Sequence, residues 1–157
     1  MTQPEPPRPA HENRDELDSL FRRDTLARTL SIELGEWSGG RATARAVPGP
    51  EHCNFAGTVH GGYLYSAADV ALSVASNSWG RMAFALSIDM QYVGAARPGD
   101  ELDFVAAEQT CGRTIGNYRL EVLRGERILA TATGLTFRTD DWHLGADAWS
   151  EGWRARH

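Results

Sequence analysis

Residues 61–80 read GGYLYSAADVALSVASNSWG, and Asp69 is the one formal charge among them. Burying an ionised, unpaired carboxylate is costly. Aspartate is also a poor interior helix residue, because its side chain competes for backbone hydrogen bonds. Read alone, Asp69 belongs on a solvated stripe or beside an arginine. Its neighbours suggest chemistry instead. Gly61-Gly62 opens the same segment, where the first N–H groups of a helix lack intrahelical acceptors and point outward with the dipole. Glycine there lets a carbonyl approach closely. Such an amide is half of an oxyanion hole, and a carboxylate acting as base or nucleophile is the other half of an acyl-transfer site.

Spacing constrains this pairing. Eight residues separate Gly61 from Asp69, roughly 12 Å along a helix at about 1.5 Å per residue. One carbonyl carbon must lie about 3 Å from both donor and attacking atom. A single helix therefore cannot bring both groups to one site. If both are catalytic, Gly61 of one copy faces Asp69 of another, which predicts a dimer with two composite sites.

The elements that must position these groups follow from the patterning. ENRDELDSLFRRDTLARTL, from Glu12 to about Leu30, has apolar residues near helical spacing, with acids early and Arg late; it reads as one amphipathic helix. Ser38-Gly39-Gly40 marks a hairpin between two short strands. Pro48, Gly49, Pro50 and Gly57 mark a loop. A helix then runs from His60 or Gly61 to Trp79, stopped by Gly80. Four strand-like stretches follow, at 82–94, 101–111, 114–124 and 127–138, separated by Arg97-Pro98-Gly99-Asp100, Cys111-Gly112-Arg113 and Arg124-Gly125-Glu126. The expected fold is α+β: an antiparallel sheet wrapped around one long helix, with an extra N-terminal helix. One helix covers part of so wide a sheet, and the rest, with an open edge strand, invites a second copy. Residues 1–11 are expected to be a disordered Pro-rich tail, 12–138 one domain, and 139–157 a tail whose Trp142, Trp149 and Trp153 pack on the sheet or a neighbour.

Composition narrows the function class. The 157 residues are 41% hydrophobic and 24% charged, as in a globular domain. The net charge of -5 argues against a broad nucleic-acid surface. Every basic side chain other than histidine is Arg, which suits bidentate phosphate contacts. Cys53 and Cys111 make no disulfide framework and read as reduced thiols of a cytoplasmic protein. The N-terminus lacks the basic start and apolar run of a secretory signal. Asp69, Asn77 and the serines of 61–80 argue against a membrane span. His52-Cys53 has no companions at zinc spacing, so no metal is expected. His11, His143 and His157, near the ends, read as solvated.

NFAGTVHGGYLYSAADVALSVASNSWG resembles the central helix of hotdog-fold acyl-CoA thioesterases of the phenylacetate-pathway (PaaI-like) type. That pattern is N-x-x-G-x-x-H-G-G, an aspartate on the same helix, then an N-x-x-G end. Asn54, Gly57, His60, Gly61, Gly62, Asp69, Asn77 and Gly80 fit it, and ALSIDMQYVGAARPGDEL resembles the next strand with Ser87 in place. The similarity spans roughly 28–138. The resemblance implies hydrolysis of acyl-CoA thioesters, with aryl-acetyl, aryl or medium-chain acyl groups. It implies no cofactor beyond the coenzyme A of the substrate, and a homodimer or homotetramer. By resemblance, Gly61 polarises the carbonyl, and Asp69 of the partner activates water or attacks directly. Ser87 orients water or carboxylate, Asn54 bonds the loop or reaches substrate, and His60 holds the loop or sits near the thioester. Gly62 adjoins the substrate. The Gly112-Arg113-Thr114 turn matches a family segment near the coenzyme A nucleotide, so Arg113 and Thr114 are candidate phosphate contacts; Arg97 is another, although it suits a solvated turn better, and Arg113 suits one equally. Two rivals remain: a hotdog hydratase or dehydratase, which pairs its residues differently, and a non-catalytic acyl-CoA-binding protein, which has no use for the carboxylate.

Overall fold

The computed structural model describes residues 11–157; the expected Pro-rich tail falls, but for His11, outside the described residues. Its elements are α1 (Arg14–Phe21), α2 (Thr25–Thr29), β1 (Glu33–Ser38), β2 (Arg41–Ala46), α3 (Gly61–Asn77), β3 (Arg81–Tyr92), β4 (Leu102–Cys111), β5 (Ile115–Arg124), β6 (Arg127–Trp142) and α4 (Glu151–Arg156), with short 3-10 turns at Pro50–His52 and Ala146–Ala148. The strands form one antiparallel six-stranded sheet in the order β1-β2-β4-β5-β6-β3. The chain crosses the sheet through α3, so β3 ends up on the edge opposite β1.

Small residues let α3 lie close on the sheet. Ala67, Ala71 and Ala75 are fully buried, and they meet a face that includes Ala42, Ala44, Ala106, Phe104 and Leu120. Gly134 on β6 belongs to the same fit: a Cβ there would come 2.9 Å from Leu72 Cδ2. Strand alternation supplies the facing residues. Leu102, Phe104 and Ala106 of β4, and Tyr118, Leu120 and Val122 of β5, turn inward while their neighbours turn out. What α3 leaves uncovered is a stripe at four-residue spacing: Tyr65 and Ser73 are exposed, with Asp69 half-buried between them.

The structure departs from the sequence pattern at both ends of the chain. The N-terminal helix is two helices, because Asp24 accepts the Ala27 N–H at 2.9 Å and starts a new one after a break at Arg22–Asp24. Strand β6 continues to Trp142, past the expected Arg138, because its last residues still pair with β3. The three histidines expected to be solvated are part-buried and packed. His11 lies 4.9 Å from Trp153, His157 stacks on Trp79 at 4.2 Å, and His143 Nε2 is 2.8 Å from Asn77 Oδ1. Trp149 and Trp153 are buried with them, so the terminal segments close over the C-terminal end of α3.

Candidate active site

The start of α3 is set by a small, tightly bonded loop. Cys53 and Val59 pair as an isolated antiparallel bridge, and Gly57 takes φ 77° to turn the chain between them. Asn54 organises the turn. Its Oδ1 accepts the Ala56 N–H at 2.9 Å, and its Nδ2 donates to Thr58 Oγ1 at 3.0 Å. Of the two roles open to Asn54, the structure displays loop-holding. The loop is fixed to the body where Val59 donates its N–H to Ala96 O and His60 donates its N–H to His52 O. His52 in turn accepts the Gly49 N–H on Nδ1 and lays its ring 4.4 Å from Tyr63.

His60 is the N-cap of α3, and its Nδ1 accepts the Gly62 N–H at 2.8 Å. The Gly62 amide is thereby engaged. The Gly61 N–H meets no acceptor among the described residues. A helix N-terminus carries partial positive charge, so this free amide is aimed to receive an oxygen. Tyr92, at the end of β3, was not anticipated here. Its hydroxyl donates to Gly61 O at 3.0 Å, and its ring carbon Cζ would lie 3.2 Å from a Cβ on residue 61. A Cβ at 61 would therefore press on the Tyr92 ring, which would have to give by a few tenths of an ångström.

Asp69 lies two turns further along the same helix. Its Oδ1 is buried and accepts no hydrogen bond from the described residues. Burial raises its pKa above the usual carboxylate range, and the like charge of Asp24 adds to the rise. A buried polar atom without a partner is uncommon enough to require a reason. A groove of about 570 Å³ lies further along α3, with Leu20, Phe21, Val74, Met82 and Phe84 on its walls beside Arg23, Asp24, Asn77 and His143. Ser73 is one turn beyond Asp69.

The other expected residues are distributed around this helix. Ser87 is exposed on β3 next to a bulge, at the open edge of the sheet. Arg97 is exposed beside the α3 start, its N–H donating to Asp100 Oδ2 at 2.8 Å. Arg113 and Thr114 lie at the opposite end, in the β4–β5 turn. Arg113 is 81% exposed, and Thr114 O accepts the Arg138 N–H. One chain thus brings Asn54, His60 and Gly61 together, with Arg97 next to Ala96 on the strand-side anchor of their loop, and leaves Asp69, Ser87 and Arg113 apart from them. Tyr92 and Asp24 are the residues that sequence reasoning missed. Asp24 carried a signal, a capping residue before a helix-forming run; Tyr92 carried none. Among the described residues no three His, Cys, Asp or Glu side chains converge as metal ligands. No described helix is long and apolar enough to cross a membrane.

A six-stranded antiparallel sheet of this order packed on one central helix is the hotdog arrangement. Residues 56–131 match the thioesterase superfamily. A protein of Archaeoglobus fulgidus that carries an esterase name is 33% identical over 125 residues, 79% of this chain and 81% of that one. The acyl-coenzyme A thioesterase PaaI of Escherichia coli is 25% identical over 118 residues, 75% of this chain and 84% of its own. The E. coli PaaI structure superposes with a TM-score of 0.78 over 82% of this chain and 94% of that one. A protein of Thermus thermophilus, 34% identical, superposes with a TM-score of 0.72 over 74% of this chain and 99% of its own. The chain belongs to the thioesterase superfamily, among its PaaI-like hotdog acyl-CoA thioesterases.

Proposed function

We propose that the protein hydrolyses acyl-CoA thioesters as a homodimer in which Gly61 of one protomer and Asp69 of the other form each site. The observation that carries this reading is the pair of unmet hydrogen-bonding groups, the Gly61 N–H and Asp69 Oδ1, held apart on one helix. The edge strand β3 supports it. It exposes Phe84, Leu86, Tyr92 and Val93 to solvent, and an exposed apolar edge strand is a template for a second copy. Antiparallel pairing of two β3 strands about a two-fold axis lays the Tyr92 end of one beside the Arg81 end of the other. Tyr92 is bonded to Gly61, so the partner's free amide is carried toward this chain's Asp69, Ser73 and Phe84. A homotetramer would be two such dimers.

In that arrangement the Gly61 amide receives the thioester carbonyl oxygen, where negative charge develops. Asp69 acts either as general base on water or as nucleophile. As base it takes a proton from water while the water oxygen bonds to the carbonyl carbon. The C–S bond then breaks, and the departing thiolate takes up the proton. Ser87 orients the water or the carboxylate from the edge strand. The apolar groove beyond Asp69 suits an aryl-acetyl, aryl or medium-chain acyl group, and its volume lies within the roughly 300–1,000 Å³ common for small-molecule sites. Arg97, Arg113 and Thr114 are the proposed contacts to the coenzyme A portion, with no other cofactor in the reaction.

Release of free thiol from a panel of acyl-CoAs tests the activity and separates hydrolysis from hydration and from binding alone. Complementation tests the composite site. Gly61→Pro removes the amide hydrogen at the first helical position, where proline is well tolerated, and His60 at φ -62°, ψ 137° already has the backbone that precedes proline. Gly61→Pro and Asp69→Asn are each expected to be inactive. Mixed after unfolding and refolding, they form heterodimers with one intact site, restoring about one quarter of wild-type activity by random pairing of a symmetric dimer. No restoration from a mixture that demonstrably forms heterodimers rejects the shared site.

A further inference from the structure

The two edges of the sheet are treated differently. Strand β3 and its end leave Phe84, Leu86, Tyr92 and Val93 exposed. On the opposite edge α1 runs beside β1, and one stripe of the helix is devoted to that strand. Arg14, Asp18 and Arg22 recur every four residues and so share a face. Arg14 Nη2 donates to Trp37 O at 2.8 Å, and Arg22 Nη1 donates to Leu34 O at 3.1 Å. Asp18, between them, accepts the Trp37 Nε1–H on Oδ1 at 2.9 Å and Arg22 Nε on Oδ2 at 2.7 Å. The lengths agree: from Arg14 to Arg22 a helix rises about 12 Å, and from Leu34 to Trp37 a strand advances about 10 Å. Strand β1 also bulges between Leu34 and Trp37. These residues stand opposite Ala44 and Ala42, two apart on β2, so the extra residue turns both carbonyls to one side of β1. That side is the one α1 reaches. Between them, Glu36 O accepts from Thr43 Oγ1 at 3.0 Å. Packing fixes the helix in place. Leu17 is fully buried, the Phe21 ring lies 5.2 Å from that of Trp37, and the Arg14 guanidinium sits 4.2 Å over the same indole. The Arg22 bond, and after it the Trp37 N–H, hold the Asp18 carboxyl below the usual carboxylate range, so the stripe stays charged near neutrality.

Building on the β3-paired dimer, we propose that α1 is a guard on β1: Arg14 and Arg22 close that edge to any further strand, so that sheet pairing ends at the dimer. Two chains joined through β3 share one sheet whose outer edges are both β1. An open β1 would pair with the β1 of a second dimer. Each dimer would offer two such edges, and the assembly would grow without closing. A guanidinium seated on an edge carbonyl occupies the place that an incoming strand's N–H must take. The exposed acids Glu33 and Glu36 on β1 add a second barrier, because two copies would set like charges against each other. Strand β3 carries no such covering helix, and its exposed side chains are apolar. The chain therefore directs self-pairing to the one edge on which the thioester sites depend.

An Arg14→Ala/Arg22→Ala double variant uncovers the two carbonyls and leaves Leu17 and Phe21 in place. In sedimentation velocity it should form concentration-dependent species of at least about twice the wild-type mass, since joining two dimers through β1 doubles it. Added salt should favour them by screening Glu33 and Glu36 from their copies. Amide hydrogen exchange of the larger species should show about tenfold more protection in β1 and no change in β3. Arg22→Ala alone, at a half-exposed position, should act in the same direction to a smaller extent, and thermal melting checks that both variants fold. Trp149→Ala, which weakens the far end of α3, is the control for association through partial unfolding. Variants that keep the wild-type mass at every concentration overturn the proposal. So does association without new protection in β1, or a Trp149→Ala variant that associates as strongly. A monomeric wild-type chain whose double variant associates through β1 upholds the guard and rejects the β3 dimer instead.

Discussion

The two ends of α3 are finished differently. At the C-terminal end the carbonyls of Ala75, Asn77, Ser78, Trp79 and Gly80 all find partners. Ser78 donates its hydroxyl to Ala75 O, Trp153 Nε1 donates to Trp79 O at 2.9 Å, His11 Nε2 lies 2.6 Å from Ser78 O, and the His143 N–H donates to Gly80 O. Asn77 reaches Ser73 O and Ala83 O and accepts the Ala83 N–H. At the N-terminal end the Gly61 amide is left open, Phe55 at the loop tip is fully exposed, and Asp69 carries a bare buried oxygen. The contrast separates stability from function along a single helix. Unmet groups cost stability, and along α3 those of Gly61 and Asp69 lie on the side where the proposed thioester and second protomer would meet them.

The largest effect that sharpens this contrast is at Asp69. Asp69→Asn should lower kcat by at least about 10³-fold, with the dimer intact and melting temperature no lower than wild type, because the unpartnered charge is gone. More than about a tenth of wild-type activity in this variant would break the assignment. At the other end, Trp149→Ala removes a ring that is 3% exposed, packs against Gly80 and donates from Nε1 to His143 O at 2.8 Å. It should cost about 3–5 kcal/mol of stability, measured by urea unfolding, and leave kcat of the folded enzyme within about threefold. A large drop in kcat with no loss of stability would reverse the division of labour. Smaller again is Tyr92→Phe, which deletes the hydrogen bond to Gly61 O while keeping the ring. A loss of about 0.5–1.5 kcal/mol predicts a fall of about twofold to thirteenfold in kcat/KM. An unchanged kcat/KM would show that the Gly61 amide is positioned without it.

How much of this was legible in the sequence follows the same division. Asp69 stood out because one charge interrupts a run of small apolar residues, and Gly80 marked the helix end because only a residue tolerant of φ 94° fits there. Strand alternation located β4 and β5 to within a residue at each end. These signals are local. The rest depends on contacts between distant positions. His11, His143 and His157 look solvated by their place near the ends, and are part-buried by aromatic rings and Asn77 brought to them from distant positions. Tyr92 meets Gly61 across 31 residues, and Arg81 reaches Arg113 O across 32 and Thr139 O across 58. No spacing rule within a helix or strand links such positions. The break at Asp24 was missed for a different reason: apolar periodicity runs through it, and the cap outweighs the periodicity.

That cap supplies the finest test of the open end. Asp24 uses Oδ1 to accept the Ala27 N–H, and its charge contributes, after burial, to the raised pKa of Asp69. Asn caps a helix as well as Asp does, so Asp24→Asn removes the charge and keeps the turn. Catalysis needs ionised Asp69. A raised pKa therefore places the acid limb of kcat above the ordinary carboxylate range, with activity falling as pH drops through it. Without the like charge of Asp24 the limb should move to lower pH, by less than the share due to burial. Stability runs the opposite way. Protonated Asp69 favours the folded state, so its contribution is fully present below the unfolded-state pKa and is lost as pH rises through the higher folded value. Asp24→Asn should narrow that window, and Asp69→Asn should abolish it. A limb that stays in place, or moves upward, would mean that burial alone sets the ionisation of Asp69 and that the N-terminal helices take no part in tuning the site.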